Sequence, residues 1–141
     1  MILLDTNVIS ELMRDSPHPA VLAWLDDQPS ASLFITAISE AEVRFGIALL
    51  PAGKRRDRIA EAANRTFGVL FRDHILPFDS EAAAIYAMIA ADRRIEGRPI
   101  SQFDCQIAAI ARSRVAAVAT RNTRDFKATG IDIVDPWSFG S

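Results

Sequence analysis

Along the chain, short unbroken apolar runs alternate with longer stretches whose apolar residues recur at helical spacing. The runs are residues 2–4 (Ile-Leu-Leu), 32–36 (Ser-Leu-Phe-Ile-Thr), 75–78 (Ile-Leu-Pro-Phe), 115–119 (Val-Ala-Ala-Val-Ala) and 131–134, and each predicts a strand. Pro77 assigns the third to a sheet edge, because proline cannot donate to a ladder. Helical spacing holds Val8, Ile9 and Leu12 within 6–13, and Val21, Trp24 and Leu25 after Pro19. It recurs with Val43, Ile47 and Leu50 from Ser39 to Leu50, and with Ile59, Ala63, Phe67, Leu70 and Phe71 within 53–73. Two further helices are expected: 80–96 with Ile85, Met88, Ile89 and Ile95 inward, and 102–114 with Phe103, Ile107 and Ile110 inward. Ser39 and Ser101 read as helix caps, and Pro51, Gly97 and Pro99 as stops. Strands that are apolar throughout and alternate with helices predict an α/β sandwich, a parallel sheet of five strands with helices on both faces.

Composition narrows the class without deciding the function. At 141 residues, half of them hydrophobic and a quarter charged, the sequence reads as one folded domain spanning 1–141. It shows no membrane-length apolar run and no secretory leader, and a single cysteine, Cys105, fits a reducing cytoplasm. Net charge is −2, so bulk charge does not advertise a nucleic-acid partner. Fourteen of the sixteen basic residues are Arg, the side chain better suited to bidentate phosphate contact.

The candidate chemistry lies in acids set far apart. Asp5 ends the first strand, Glu42 and Asp104 fall near the starts of two later helices, and Asn122 and Asp125 follow the fourth strand. Each has a structural explanation of its own. Ser39-x-x-Glu42, Ser101-x-x-Asp104 and Asn122-x-x-Asp125 all fit a capping box, and Asp5 can cap the helix at Thr6. In a parallel sheet, however, strands end and the following helices begin on one edge, so these groups converge there. Clustered carboxylates repel one another unless a cation joins them, and hard oxygen donors with no Cys or His pair select Mg²⁺ or Mn²⁺ over Zn²⁺. His18 and His74 both read as loop residues rather than ligands.

Four segments together carry a specific likeness: Ile2-Leu-Leu-Asp5-Thr-Asn7, Ile38-Ser-Glu-Ala-Glu42-Val-Arg-Phe-Gly46, Asp104-Cys-Gln-Ile107 and Thr120-Arg-Asn122-Thr-Arg-Asp125-Phe. In this order, the chain resembles the PIN-domain family, and within it the VapC/FitB-type toxins of bacterial toxin–antitoxin pairs. The resemblance implies a PIN-like three-layer fold and a metal-dependent endoribonuclease, with Asp5, Glu42 and Asp104 as the catalytic, Mg²⁺- or Mn²⁺-holding acids. The fourth position falls on Asn122, which brings no charge, or on Asp125 as a further metal ligand. Thr6, Asn7 and Thr120 are expected to orient the first carboxylate or a metal-bound water. Arg44 and Arg121 are candidate phosphate contacts, as are Lys54 and Arg55 at the start of the long helix. The resemblance also implies an RNA substrate, a homodimer, and a small DNA-binding antitoxin that reaches into the active-site groove. The rival reading is a PIN-like module that binds RNA or protein without cutting.

Overall fold

Successive residues of the first strand point to opposite faces of the sheet, and the core divides accordingly. Leu3 packs into a cluster with Ile89, Ile107, Ile110, Val118 and Phe126, while Leu4 packs with Val8, Ile9, Val21, Trp24, Ile35 and Phe67. Both leucines are fully buried, and each burial is worth roughly 1.5–3 kcal/mol. The computed structural model describes residues 1–141 as strands β1 (Ile2–Leu4), β2 (Leu33–Thr36), β3 (Ile75–Leu76), β4 (Ala117–Ala119) and β5 (Ile133–Val134). The helices are α1 (Thr6–Leu12), α2 (Pro19–Asp26), α3 (Ala37–Ala48), α4 (Lys54–Arg65), α5 (Ser80–Ile95) and α6 (Gln102–Ser113). All strand pairs are parallel, in the order β3-β2-β1-β4-β5, with β3 at an edge as Pro77 requires. This is the α/β sandwich that the apolar pattern predicts. No helix is long and apolar enough to cross a membrane.

The chain lays β2 and β3 on one side of β1, then crosses back to place β4 and β5 on the other. The reversal falls between β1 and β4. In open parallel sheets the crevice beyond the carboxyl ends at such a point is where ligands bind.

Several local expectations are corrected. Helix α3 begins at Ala37 rather than after Ser39: Thr36 is its cap, and the Thr36 hydroxyl accepts from the Ser39 N–H at 3.1 Å. The expected single helix over 53–73 is α4 followed by a wider π-helical turn, Thr66–Leu70, which rotates Leu70 into solvent while Phe67 stays buried. On α5 the inward stripe is Ala82, Ile89 and the buried Arg93, so Met88 and Ile95 are exposed. Phe103 is half exposed on the first turn of α6, because the buried face of that helix runs through Cys105, Ile107 and Ile110. Val115 takes a left-handed conformation (φ 55°) and is exposed, so it closes α6 instead of opening β4. His74 is not a free loop residue: it stacks on Phe34 and its Nδ1 meets Leu33 O at 2.8 Å.

Candidate active site

Asp5 leaves β1 as the N-cap of α1 and is buried, with both carboxylate oxygens engaged. Oδ1 accepts from the Thr6 N–H at 2.8 Å. Oδ2 accepts from Thr120 Oγ1 at 2.7 Å and from Asn7 Nδ2 at 3.2 Å. Thr120 in turn accepts from the Asn122 N–H at 3.0 Å, and Asn7 Oδ1 accepts from the Arg121 N–H at 3.2 Å. The network spans the gap between β1 and β4 and locks one carboxylate at the carboxyl end of the sheet. Thr6, Asn7 and Thr120 therefore all touch the acid network, Thr6 at two carboxylates.

Glu42 lies in the second turn of α3, beyond the reach of the helix's first N–H groups. Its Oε1 accepts from Thr6 Oγ1 at 2.8 Å, and that hydroxyl also lies 3.0 Å from Ser39 Oγ. The capping-box explanation of Glu42 fails because the helix starts earlier than Ser39. Asp104 does sit where its box predicts, with its backbone N–H donating to the Ser101 hydroxyl at 3.2 Å. The segment Asn122-x-x-Asp125 forms a short 3₁₀ turn with no side-chain cap.

Asp5, Glu42, Asp104 and Asn122 line one cleft of about 490 Å³, together with Thr6, Asn7 and Arg121. Asp125 is exposed and outside that lining, yet its charge raises the pKa of Asp104. Burial pushes the Asp5 carboxyl up from 3.8 to about 6, helped by the charges of Asp104 and Glu42 and opposed by the bonds from Thr120 and Thr6. Glu42 is raised by burial and by the Asp104 charge, and Asp104 by burial and by Asp125. None of these acids has an ion-pair partner: the three salt bridges are Arg14–Glu11, Arg44–Glu40 and Arg98–Glu96. The site thus holds uncompensated negative charge on a buried floor. Its donors are all oxygens, the chemistry that suits a hard divalent cation. No three of the acids are drawn close enough to form a finished ligand set.

The basic candidates separate. Arg44 is outside the lining of the acidic cleft; its guanidinium bonds Glu40 at 2.9 Å and Asn64 at 2.9 Å and stands over Phe67, tying α3 to α4. Two of its five N–H donors are thus engaged within the fold, and the expected phosphate contact is not made at the acidic cleft. Arg121 lines the acidic cleft. Arg55 lines a second groove, of about 610 Å³, with Arg14, Arg58, Met13, Val43, Ile47 and Ile59, whereas Lys54 does not. Thr6, Ser10, Arg14 and Glu42 border both depressions, so the groove opens into the acidic cleft.

Sequence reasoning missed Glu11, Arg14 and Trp137. Glu11 is buried in the cleft wall, where it accepts from Arg14 and from the His18 N–H at 3.0 Å. For Glu11 and Arg14 a signal was available, since Thr6, Asn7, Ser10 and Glu11 make a polar stripe at helical spacing along α1 that Arg14 continues just beyond its end.

The sequence and fold match known proteins. The PIN domain model matches residues 2–131. The chain is 44% identical over 137 residues to the VapC ribonuclease Y4jK of Sinorhizobium fredii, covering 97% of this chain and 98% of that protein. It is 43% identical over 137 residues to Toxin FitB of Neisseria gonorrhoeae, covering 97% and 99%. The crystal structure of FitAcB from Neisseria gonorrhoeae superposes with a TM-score of 0.91 at 42% identity, covering 99% of this chain and 100% of that one.

Proposed function

This chain belongs to the PIN-domain family, and from that premise we propose that it is a metal-dependent endoribonuclease, the toxin half of a toxin–antitoxin pair. The observation that carries the reading is the set of three carboxylates in one cleft, all with raised pKa and none paired with a cation. Structural acids of a helix cap or surface ion pair have no reason to be gathered in this way. The names of the relatives, a ribonuclease and a toxin, point in the same direction.

Asp5, Glu42 and Asp104 would hold Mg²⁺ or Mn²⁺, which supplies a water of lowered pKa and positive charge against the phosphate in the transition state. The chain's own part is placement. Thr6, Asn7 and Thr120 fix Asp5, and the Thr6 hydroxyl restrains one oxygen of Glu42 while leaving the other free. Asn122 contributes an amide without charge, and Asp125 adds negative field from the rim. The cleft lining contains no histidine, which argues against 2′-hydroxyl chemistry of the histidine type. Hydrolysis by water leaves a 5′-phosphate and a 3′-hydroxyl.

The groove beside the acids supports the antitoxin reading. An amphipathic segment whose apolar face met Met13, Val43, Ile47 and Ile59 would lead directly to Glu42. Phe45 on α3 and Leu49 at its C-cap, exposed one turn apart, offer an apolar face to a second copy.

The test is cleavage of total RNA by the purified wild type, Glu42→Gln and Asp104→Asn, with Mg²⁺ or Mn²⁺ and with chelator, alongside melting temperatures. Cutting that needs the ion and disappears in folded variants is the expected result. A wild type that never cuts, with variants that only melt lower, would instead indicate a binding module.

A further inference from the structure

Strands β4 and β5 run side by side, with Ala119 opposite Val134 and the Thr120 N–H donating to Val134 O at 2.9 Å. The residues that follow therefore leave the sheet together. Arg121 comes just after β4, and Trp137 sits in the short turn Pro136–Ser138 after β5. Their side chains meet, with the guanidinium carbon 5.2 Å from the centroid of the Trp137 ring. Both line the acidic cleft.

The pair is held at both ends. The Arg121 N–H is bonded to Asn7, whose amide nitrogen also bonds Asp5. Asp135 accepts from the Trp137 N–H at 2.9 Å and from the Ser138 hydroxyl at 3.1 Å, and Pro136 stiffens the same turn. Arg121 is exposed in a cleft with three carboxylates that lack an ion-pair partner and yet pairs with none of them. Charge alone would draw it to Asp5, Glu42 or Asp104; it rests on an indole face instead. A guanidinium so placed offers its open face to another flat π system, and single-stranded RNA presents such systems as unstacked bases.

We propose that Arg121 and Trp137 form a shelf on which a nucleobase next to the scissile phosphate stacks. The proposal rests on the ribonuclease reading and deepens it: the substrate is single-stranded at this point, and larger purine faces are preferred. Arg121 acts here as a stacking surface, not as a phosphate fork.

Binding of short single-stranded RNA in chelator tests the shelf without cutting, using Glu42→Gln as a second, uncutting host. Trp24 is buried, so quenching of tryptophan fluorescence by RNA reports Trp137. Purine-rich oligomers are expected to quench and to bind more tightly than pyrimidine ones. Trp137→Leu should weaken binding about tenfold, and Arg121→Lys, which keeps the charge, by a similar factor, while Trp137→Phe retains most of the affinity. An oligomer lacking the one base should bind wild type and Trp137→Leu alike. Arg121→Lys also covers the case in which Trp137→Leu fails to fold. RNA that binds wild type, Arg121→Lys and Trp137→Leu equally, without quenching, overturns the shelf and leaves the nuclease reading standing. Quenching by a peptide partner but not by RNA overturns it too. RNA that binds no variant in any buffer removes both.

Discussion

On the sheet side of the cleft, Asp5 is buried, capped and hydrogen-bonded on both oxygens, whereas on the helix side Glu42 has one hydroxyl contact and Asp104 is held mainly by its place in the first turn of α6. One wall is held rigid by hydrogen bonds, and the other is held by fewer contacts. The difference shows where the site is fixed: the carboxylate that joins the sheet is held by three donors, and the two on helices are held by far fewer contacts. The segment that follows β4 is secured from behind. Arg93 is buried with no carboxylate partner, and it donates to the main-chain carbonyls of Arg98 (2.7 Å), Asp125 (3.0 Å) and Lys127 (2.9 Å). It thereby pins the segment that carries Asn122 and Asp125.

The largest effect is expected from removing that support. Arg93→Met removes three hydrogen bonds from a charged donor to main-chain carbonyls, about 1.5–3 kcal/mol each, so urea denaturation should show a loss of more than about 3 kcal/mol. Arg93→Lys, which cannot reach three acceptors at once, should recover only part of it. Next in size is the strain of the rigid wall itself. The folded pKa of Asp5, about 6, lies above its ordinary 3.8, so the folded chain holds a proton that the unfolded chain releases. The associated stability is fully present below about 3.8 and is lost as pH rises through about 6, on the order of 3 kcal/mol. Glu42 and Asp104 are raised as well and add in the same direction. In chelator, then, the contribution of these acids makes the protein melt higher near pH 5 than near pH 7.5; Asp5→Asn flattens the difference, and Mg²⁺ or Mn²⁺ at pH 7.5 restores the loss.

A milder cut through the rigid wall is Thr120→Val, which keeps the shape and removes the 2.7 Å bond to Asp5. Cleavage rate should fall about tenfold or more, the usual cost of losing a group that orients a ligand, with a stability loss of about 1–2 kcal/mol. Smallest of all is Arg44→Ala. Its ion pair with Glu40 is largely solvated, so stability should drop by less than about 1 kcal/mol and cleavage should not change. A large cleavage defect there would return Arg44 to the substrate path.

Sequence by itself determined the order of strands and helices, because buried parallel strands are apolar throughout and helices repeat every three to four residues. It also placed Asp5 at a strand end and Asp104 in a capped first turn, since caps act within a few residues. For Glu42 the local pattern misleads, because Ser39-x-x-Glu42 imitates a box that Thr36 pre-empts by capping the helix three residues earlier. Only the tertiary structure decided the rest: that Arg44 serves the α3–α4 contact, that Arg121 rests on Trp137, and that Arg93 is buried among carbonyls. The reason is range. Periodicity and capping are local, whereas Thr6 meets Glu42 across 36 positions and Thr120 meets Asp5 across 115, contacts that exist only once the sheet has brought its strand ends together.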